Sequence, residues 1–148
     1  MFRWIREHRE RALQASRVCC VAYWLVLVVA THWPQPDIVL PTSDKVVHLL
    51  AYAVLAFLVG LQFRTGAWKT RRWHYVTAVI VCLWAIIDEV TQIPIPGRNG
   101  DVMDCLADWI GCAIGIVGVV IIARVLKTRA ELKSQVGTSE SFVKSEIG

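Results

Sequence analysis

Charge is scarce in this sequence. Only 19% of its 148 residues are Asp, Glu, Lys or Arg, while 55% are hydrophobic. That balance excludes an ordinary soluble domain. Proline is sparse as well, with five in all at 34, 36, 41, 94 and 96, between apolar stretches or at their margins. None of the five cysteines (Cys19, Cys20, Cys82, Cys105, Cys112) forms a Cys-x-x-Cys pair, so neither a zinc ribbon nor a redox motif is indicated. All five lie in apolar segments, where free cysteine acts as a small hydrophobe. The chain also lacks an H-E-x-x-H or phosphatase-like motif, and no internal repeat is visible.

What the chain does have is apolar length. Four stretches carry it: Val18 to about Trp33, Val46 to Phe63, Tyr75 to about Ile95, and Cys105 to Leu126. A bilayer core of roughly 30 Å takes about 20 helical residues. The second and fourth stretches reach that length, and the other two reach it with their flanks. A soluble bundle would show one apolar stripe per helix, whereas these are apolar around the whole helix. The sequence therefore predicts an all-α polytopic membrane protein, a four-transmembrane-helix bundle.

The formal net charge of +4 does not point to nucleic acid, because position explains it. Fourteen of the sixteen Lys and Arg residues lie near the N-terminus, in the segment from Arg64 to Arg72, or from Arg124 onward. Four spans put those three regions on one face, which the positive-inside rule makes cytoplasmic. Both termini are then cytoplasmic in the inner membrane. The expected organisation is a basic lead-in over residues 1–17, a membrane domain over 18–127 with spans at about 18–33, 46–63, 75–95 and 105–126, and a polar, disordered tail over 128–148. The basic start and Val28-Val29-Ala30 also fit a cleaved signal peptide. A retained first helix is preferred, since three remaining spans would make a thin bundle.

The acids lie at the opposite ends of these spans. Asp44, His48 and Tyr52 follow one another at intervals of four, so they share one face of the second span. Asp88 and Glu89 precede Gln92 near the end of the third, and Asp101, Asp104 and Asp108 step along one side of the fourth. With Lys45 and Arg98 they should meet at the outer leaflet. Asp88, seven residues before Ile95, should sit about 10 Å inside its span. Arg98, Lys45 and His48 are its candidate partners, since acids in spans normally face the bundle and are paired. Asp44 and Asp101 also suit helix caps. Gly111-x-x-x-Gly115 should let another helix of the bundle approach the fourth closely.

Three pieces in this order resemble the VanZ-like membrane proteins: D-K-V-V-H-L-L-A-Y at 44–52, E-V-T-Q-I-P-I-P-G-R at 89–98, and D-V-M-D-C-L-A-D-W-I-G at 101–111. The resemblance covers about residues 40–120. The family's pattern falls on Asp44, Lys45, His48, Tyr52, Glu89, Gln92, Arg98, Asp101, Asp104 and Gly111. Asp108 departs from it, because the family commonly has asparagine there. The resemblance implies a small integral membrane protein whose founding member gives low-level resistance to the glycopeptide teicoplanin, and it brings no catalytic activity with it.

Asp44, Lys45, His48, Tyr52, Glu89, Gln92, Arg98, Asp101, Asp104 and Asp108 are thus the candidate ligand-binding residues. The favoured function is a non-catalytic binding or accessory role at the outer leaflet, in cell-envelope processes or glycopeptide resistance. Its partners are the bilayer and either an envelope-derived ligand or another membrane protein, with no cofactor, metal or nucleic acid. One alternative is an enzyme on lipid-linked or cell-wall material, with His48 as base, a carboxylic acid as proton donor and Arg98 as anion clamp. A divalent-metal form of it would use Glu89, Asp101 and Asp104. The only Ser or Cys nucleophile near this set is Cys105. A small proton-coupled transporter ranks last, since four short spans without an inverted repeat offer little to rock.

Overall fold

In a computed structural model, the structure describes residues 2–33, 41–65, 69–96 and 100–147, with side chains described except at 2–6, 9, 41–43 and 136–147. Among these residues the chain is all helix, with no strand, in the order α1 (Phe2–Thr31), α2 (Pro41–Thr65), α3 (Trp73–Gln92) and α4 (Val102–Ile147). Each contains a segment long and apolar enough to cross a membrane: Glu10–Thr31, Asp44–Thr65, Trp73–Gln92 and Val102–Gln135. The four predicted spans are present, and their ends differ from prediction.

Local chemistry accounts for the shifted ends. Helix α2 starts at Pro41 rather than at 46, because a proline in the first helical position gives up an N–H that has no partner there anyway. Asp44 consequently sits in the first turn and does not cap the helix. The basic lead-in and the first span form one uninterrupted helix. Helix α3 stops at Gln92, where the Ile95 amide turns back to the Gln92 carbonyl at 2.9 Å ahead of Pro96. Helix α4 runs to Ile147, through residues predicted to be a disordered tail. No proline interrupts the sequence after residue 96, so nothing removes a backbone donor from the helical ladder.

The chain divides into two compact units, Met1–Ile116 and Val117–Gly148. The first holds the core of interest. Its α3 shows how the helices are oriented, since the buried stripe is Trp73, Thr77, Val81, Ala85, Asp88, Glu89 and Gln92. The outward face carries Val79, Ile80, Leu83, Ile86, Ile87 and Val90. The interior side is thus the more polar one, the reverse of a soluble helix and the arrangement a hydrocarbon solvent favours. Thr77, wholly buried, returns its hydroxyl proton to the Trp73 carbonyl at 2.8 Å.

Lipid tails give helices no hydrophobic reason to associate, so packing and interhelical hydrogen bonds must hold the unit together. Tyr52, Leu55, Ala56, Val81, Ala85, Cys112 and Leu27 make the apolar centre. Trp24 of α1 meets Trp84 of α3 edge to face, with ring centroids 4.9 Å apart. Tyr23 of α1 donates to the Ala51 carbonyl of α2 at 2.9 Å, and Gln62 of α2 donates to Ser16 of α1 at 2.7 Å. Helix α4 lies directly on α2 through Gly111 and Gly115. A methyl group at Gly111 would overlap the Leu49 carbonyl, and one at Gly115 would overlap that of Ala53. The glycine pair therefore serves the bundle interior, as predicted.

Candidate functional site

Antiparallel packing brings the C-terminal ends of α1 and α3 together with the N-terminal ends of α2 and α4. At that end the polar side chains form two connected groups. The first centres on Asp88, which is wholly buried. Thr31 of α1 donates to its Oδ1 at 2.9 Å, and Tyr52 of α2 donates to its Oδ2 at 3.1 Å. Gln92, one turn further along α3, donates to the same Oδ2 at 3.1 Å. His32 Nδ1 approaches Oδ1 to 3.6 Å, while its Nε2 lies 2.9 Å from the Thr91 hydroxyl. One carboxylate thus ties three helices. Four residues separate it from the last residue of α3, or about 6 Å of rise.

The second group joins α2, α3 and α4. Lys45 Nζ donates to Asp101 Oδ2 at 2.6 Å and to Asp104 Oδ1 at 2.8 Å. His48 Nδ1 lies 3.1 Å from Asp108 Oδ1, with both residues buried. Asp101 caps α4, because its Oδ1 accepts the Met103 N–H at 2.8 Å. Its own N–H is taken by Glu89 Oε2 of α3 at 2.9 Å. Outside the spans, Asp101 has its carboxyl held below the usual range, chiefly by the Lys45 hydrogen bond and then by the Met103 amide.

Two buried oxygens stand apart from this pairing. Among the described residues, Glu89 Oε1 and Asp108 Oδ2 have no hydrogen-bond partner. Side-chain donor atoms of His48, Glu89 and Asp108 lie within 4.8 Å of one another, and so do those of Asp44, His48 and Asp104. These two trios have the spacing to hold a metal. Glu89, Asp101 and Asp104, the trio the sequence suggested for a metal-dependent reaction, are not one of them.

Two cavities approach the polar end. One of about 310 Å³ lies between α1 and α2. Val26, Leu27 and Val47 make part of its apolar wall, and Thr31, Asp44 and His48 are on its polar side. The other, also about 310 Å³, lies between α3 and α4, with Glu89 and Asp101 in a mostly apolar wall. A chamber with an apolar flank and a few convergent polar groups suits an amphiphilic molecule.

Of the predicted site residues, Lys45, His48, Tyr52, Glu89, Gln92, Asp101, Asp104 and Asp108 come together in these linked groups. Asp44 adjoins them through His48 and Asp104. Arg98 lies outside the described residues. The partners foreseen for Asp88 were Arg98, which lies outside the described residues, Lys45 and His48; among the described residues its donors are Thr31, Tyr52 and Gln92. Thr31, His32 and Thr91 were not anticipated. Their signal was present, since a threonine and a histidine side by side close an otherwise apolar segment.

A family model described as VanZ/LLP1 matches residues 3–124. Neither the curated proteins nor the solved structures yield a match to this chain.

Proposed function

The chain belongs to the VanZ/LLP1 family, and on that premise we propose that it binds an envelope-derived amphiphile at the outer leaflet of the inner membrane without transforming it. The apolar part of the ligand lies along Val26, Leu27 and Val47, and its polar or cationic part meets Asp44, His48 and the acids behind them. The observation that carries this reading is the cavity between α1 and α2, with its greasy wall and its carboxylate and imidazole at one end. Asp44, Asp88, Glu89, Asp101, Asp104 and Asp108 outnumber Lys45 and Arg98, which favours a ligand with positive charge or many donors. The outward orientation follows from the basic residues near the N-terminus, around Arg71 and after Arg124. Protection against a glycopeptide such as teicoplanin is the cellular role that family membership favours.

Two experiments test the proposal. Single cysteines at 45, 64, 98 and 128 are placed in a chain freed of its own cysteines, and intact cells are treated with an impermeant maleimide. Positions 45 and 98 should react, and 64 and 128 only after permeabilisation; the reverse pattern removes the outer-leaflet site. In the second, Glu89→Gln with Asp104→Asn should abolish teicoplanin protection at unchanged membrane abundance. Full protection by that double variant would remove the acids from the function.

One observation favours a second reading. A buried carboxylate 3.1 Å from His48 is the arrangement that orients a general base. On that reading the chain is a membrane enzyme acting on lipid-linked material. Turnover of such a substrate by purified protein, lost in His48→Ala, would establish it over simple binding.

A further inference from the structure

We propose that His48, Glu89 and Asp108 form a binding site for a divalent d-block cation, zinc in the first instance. Each residue comes from a different helix, and one donor atom of each lies within 4.8 Å of the other two. All three side chains are buried: His48 is 5% exposed, Glu89 8% and Asp108 0%. The independent observation is that Glu89 Oε1 and Asp108 Oδ2 are buried oxygens with no donor among the described residues. Taking such oxygens out of water without a partner is costly, and a cation between them answers both at once.

Geometry separates this trio from its neighbour. Donor atoms about 2.0–2.2 Å from a tetrahedral or octahedral metal stand about 3.0–3.4 Å from one another. His48 Nδ1 and Asp108 Oδ1 are already 3.1 Å apart, so the imidazole and this carboxylate stand at ligand spacing, and the free oxygens Asp108 Oδ2 and Glu89 Oε1 reach a metal by side-chain adjustment once the imidazole proton is released. In the other trio, Asp44, His48 and Asp104, the Asp104 Oδ1 is held by the Lys45 ammonium at 2.8 Å. A second cation there would meet that charge at close range. The His48–Glu89–Asp108 trio has no ammonium on its described contacts, and the cavity beside Glu89 between α3 and α4 supplies an approach.

One imidazole with two carboxylates favours a borderline metal over magnesium or calcium, which prefer all-oxygen shells. Three protein ligands also leave a position open for water or a ligand oxygen, as in zinc sites that keep an exchangeable place. Glu89 is also held in place for this role, because its Oε2 accepts the Asp101 N–H at 2.9 Å. The sequence reading expected no metal, and the proposal departs from it. It does not depend on which face of the membrane the site occupies, nor on the amphiphile proposed above.

The test uses the full-length protein in detergent, stripped with a chelator and titrated with zinc chloride. One equivalent of zinc should bind per chain, with an equal concentration of magnesium or calcium failing to displace it. Loss of even an outer-sphere partner weakens metal sites about 10–100-fold, so Glu89→Gln, Asp108→Asn and His48→Ala should each weaken binding by about a hundredfold or more. Asp44→Asn, which leaves all three ligands in place and adjoins the site only through His48, should weaken it less than any of those three variants. Sub-stoichiometric binding by the wild type, or a loss in Asp44→Asn as large as that in Glu89→Gln, overturns the assignment. X-ray absorption on the zinc-loaded wild type needs no variant to fold. It should show one imidazole within a shell of light atoms at about 2.0–2.1 Å, and a sulfur shell or no imidazole overturns the site equally.

Discussion

Replacing Gly111 with alanine adds one methyl group at the closest approach of α4 to α2. That carbon would overlap the Leu49 carbonyl oxygen and stand 3.0 Å from the Ala53 amide nitrogen and 3.1 Å from the Leu49 carbonyl carbon. All three are backbone atoms of α2, so no rotamer change relieves them, and α4 must move away by roughly an ångström to restore ordinary contact at about 3.5–4.0 Å. Such a shift also stretches the 3.1 Å His48–Asp108 contact past about 3.2 Å, the usual limit of a good N–H···O bond. Overpacking costs about 1–3 kcal/mol. With the obstacle being backbone and a buried polar contact moving with it, the upper half of that range is expected. The assay is unfolding of the purified protein in detergent, by steric trapping or thermal shift, beside Ile110→Ala. Ile110, the residue before it on the same helix, is 55% exposed, and its variant should stay within about 0.5 kcal/mol of wild type. If Gly111→Ala is as stable as Ile110→Ala, the two helices do not touch as described, and the polar groups bridging them lose their support.

Tyr52→Phe removes one donor to Asp88 and should cost about 0.6 kcal/mol and no more than about 1.7 kcal/mol, the average and the maximum found for hydrogen bonds between membrane helices. Thr31→Val should cost a similar amount, and because both donors share the Asp88 carboxylate, a double-mutant cycle should show coupling above about 0.5 kcal/mol. Additive losses would separate the two bonds. Lys45→Met should lower the melting temperature more than Lys45→Arg, since only the latter keeps a donor for Asp101 and Asp104; equal losses would mean that the ammonium holds nothing. Asp101→Ala should remove both the α4 cap and a Lys45 partner, while Asp101→Asn keeps the cap, and thermal unfolding should rank wild type, Asn and Ala in that order.

The four spans were legible because apolar length is a one-dimensional signal, and the face shared by Asp44, His48 and Tyr52 follows from the 3.6-residue turn alone. Gly111 and Gly115 were legible for the same reason, as two small residues one turn apart. Helix ends were less so: Pro41 reads as a breaker, yet it opens α2 because the first helical position tolerates a missing N–H. The tail after residue 127 was read as disordered from its polarity, and polarity does not break a helix. Which acid meets which donor is a matter of helix rotation, and the sequence does not encode that locally. Lys45 could be assigned to the acids in general, but its bridge to Asp101 and Asp104 depends on α4 facing α2. The meeting of Thr31 with Asp88 depends likewise on α1 reaching the end of α3.

The bonds that converge on Asp88 also constrain how the protein is made. An aspartate near the middle of an isolated span raises the cost of entering the bilayer by about 2.5–3.5 kcal/mol, and less toward the surface. Glu89 stands beside it. Within helix α3 the side chain that donates to Asp88 is Gln92; among the described residues the other donors belong to α1 and α2. Both of those emerge from the ribosome first. The earlier pair can therefore act as an internal chaperone, offering Thr31 and Tyr52 as a ready-made berth for a third helix that is a poor traveller by itself.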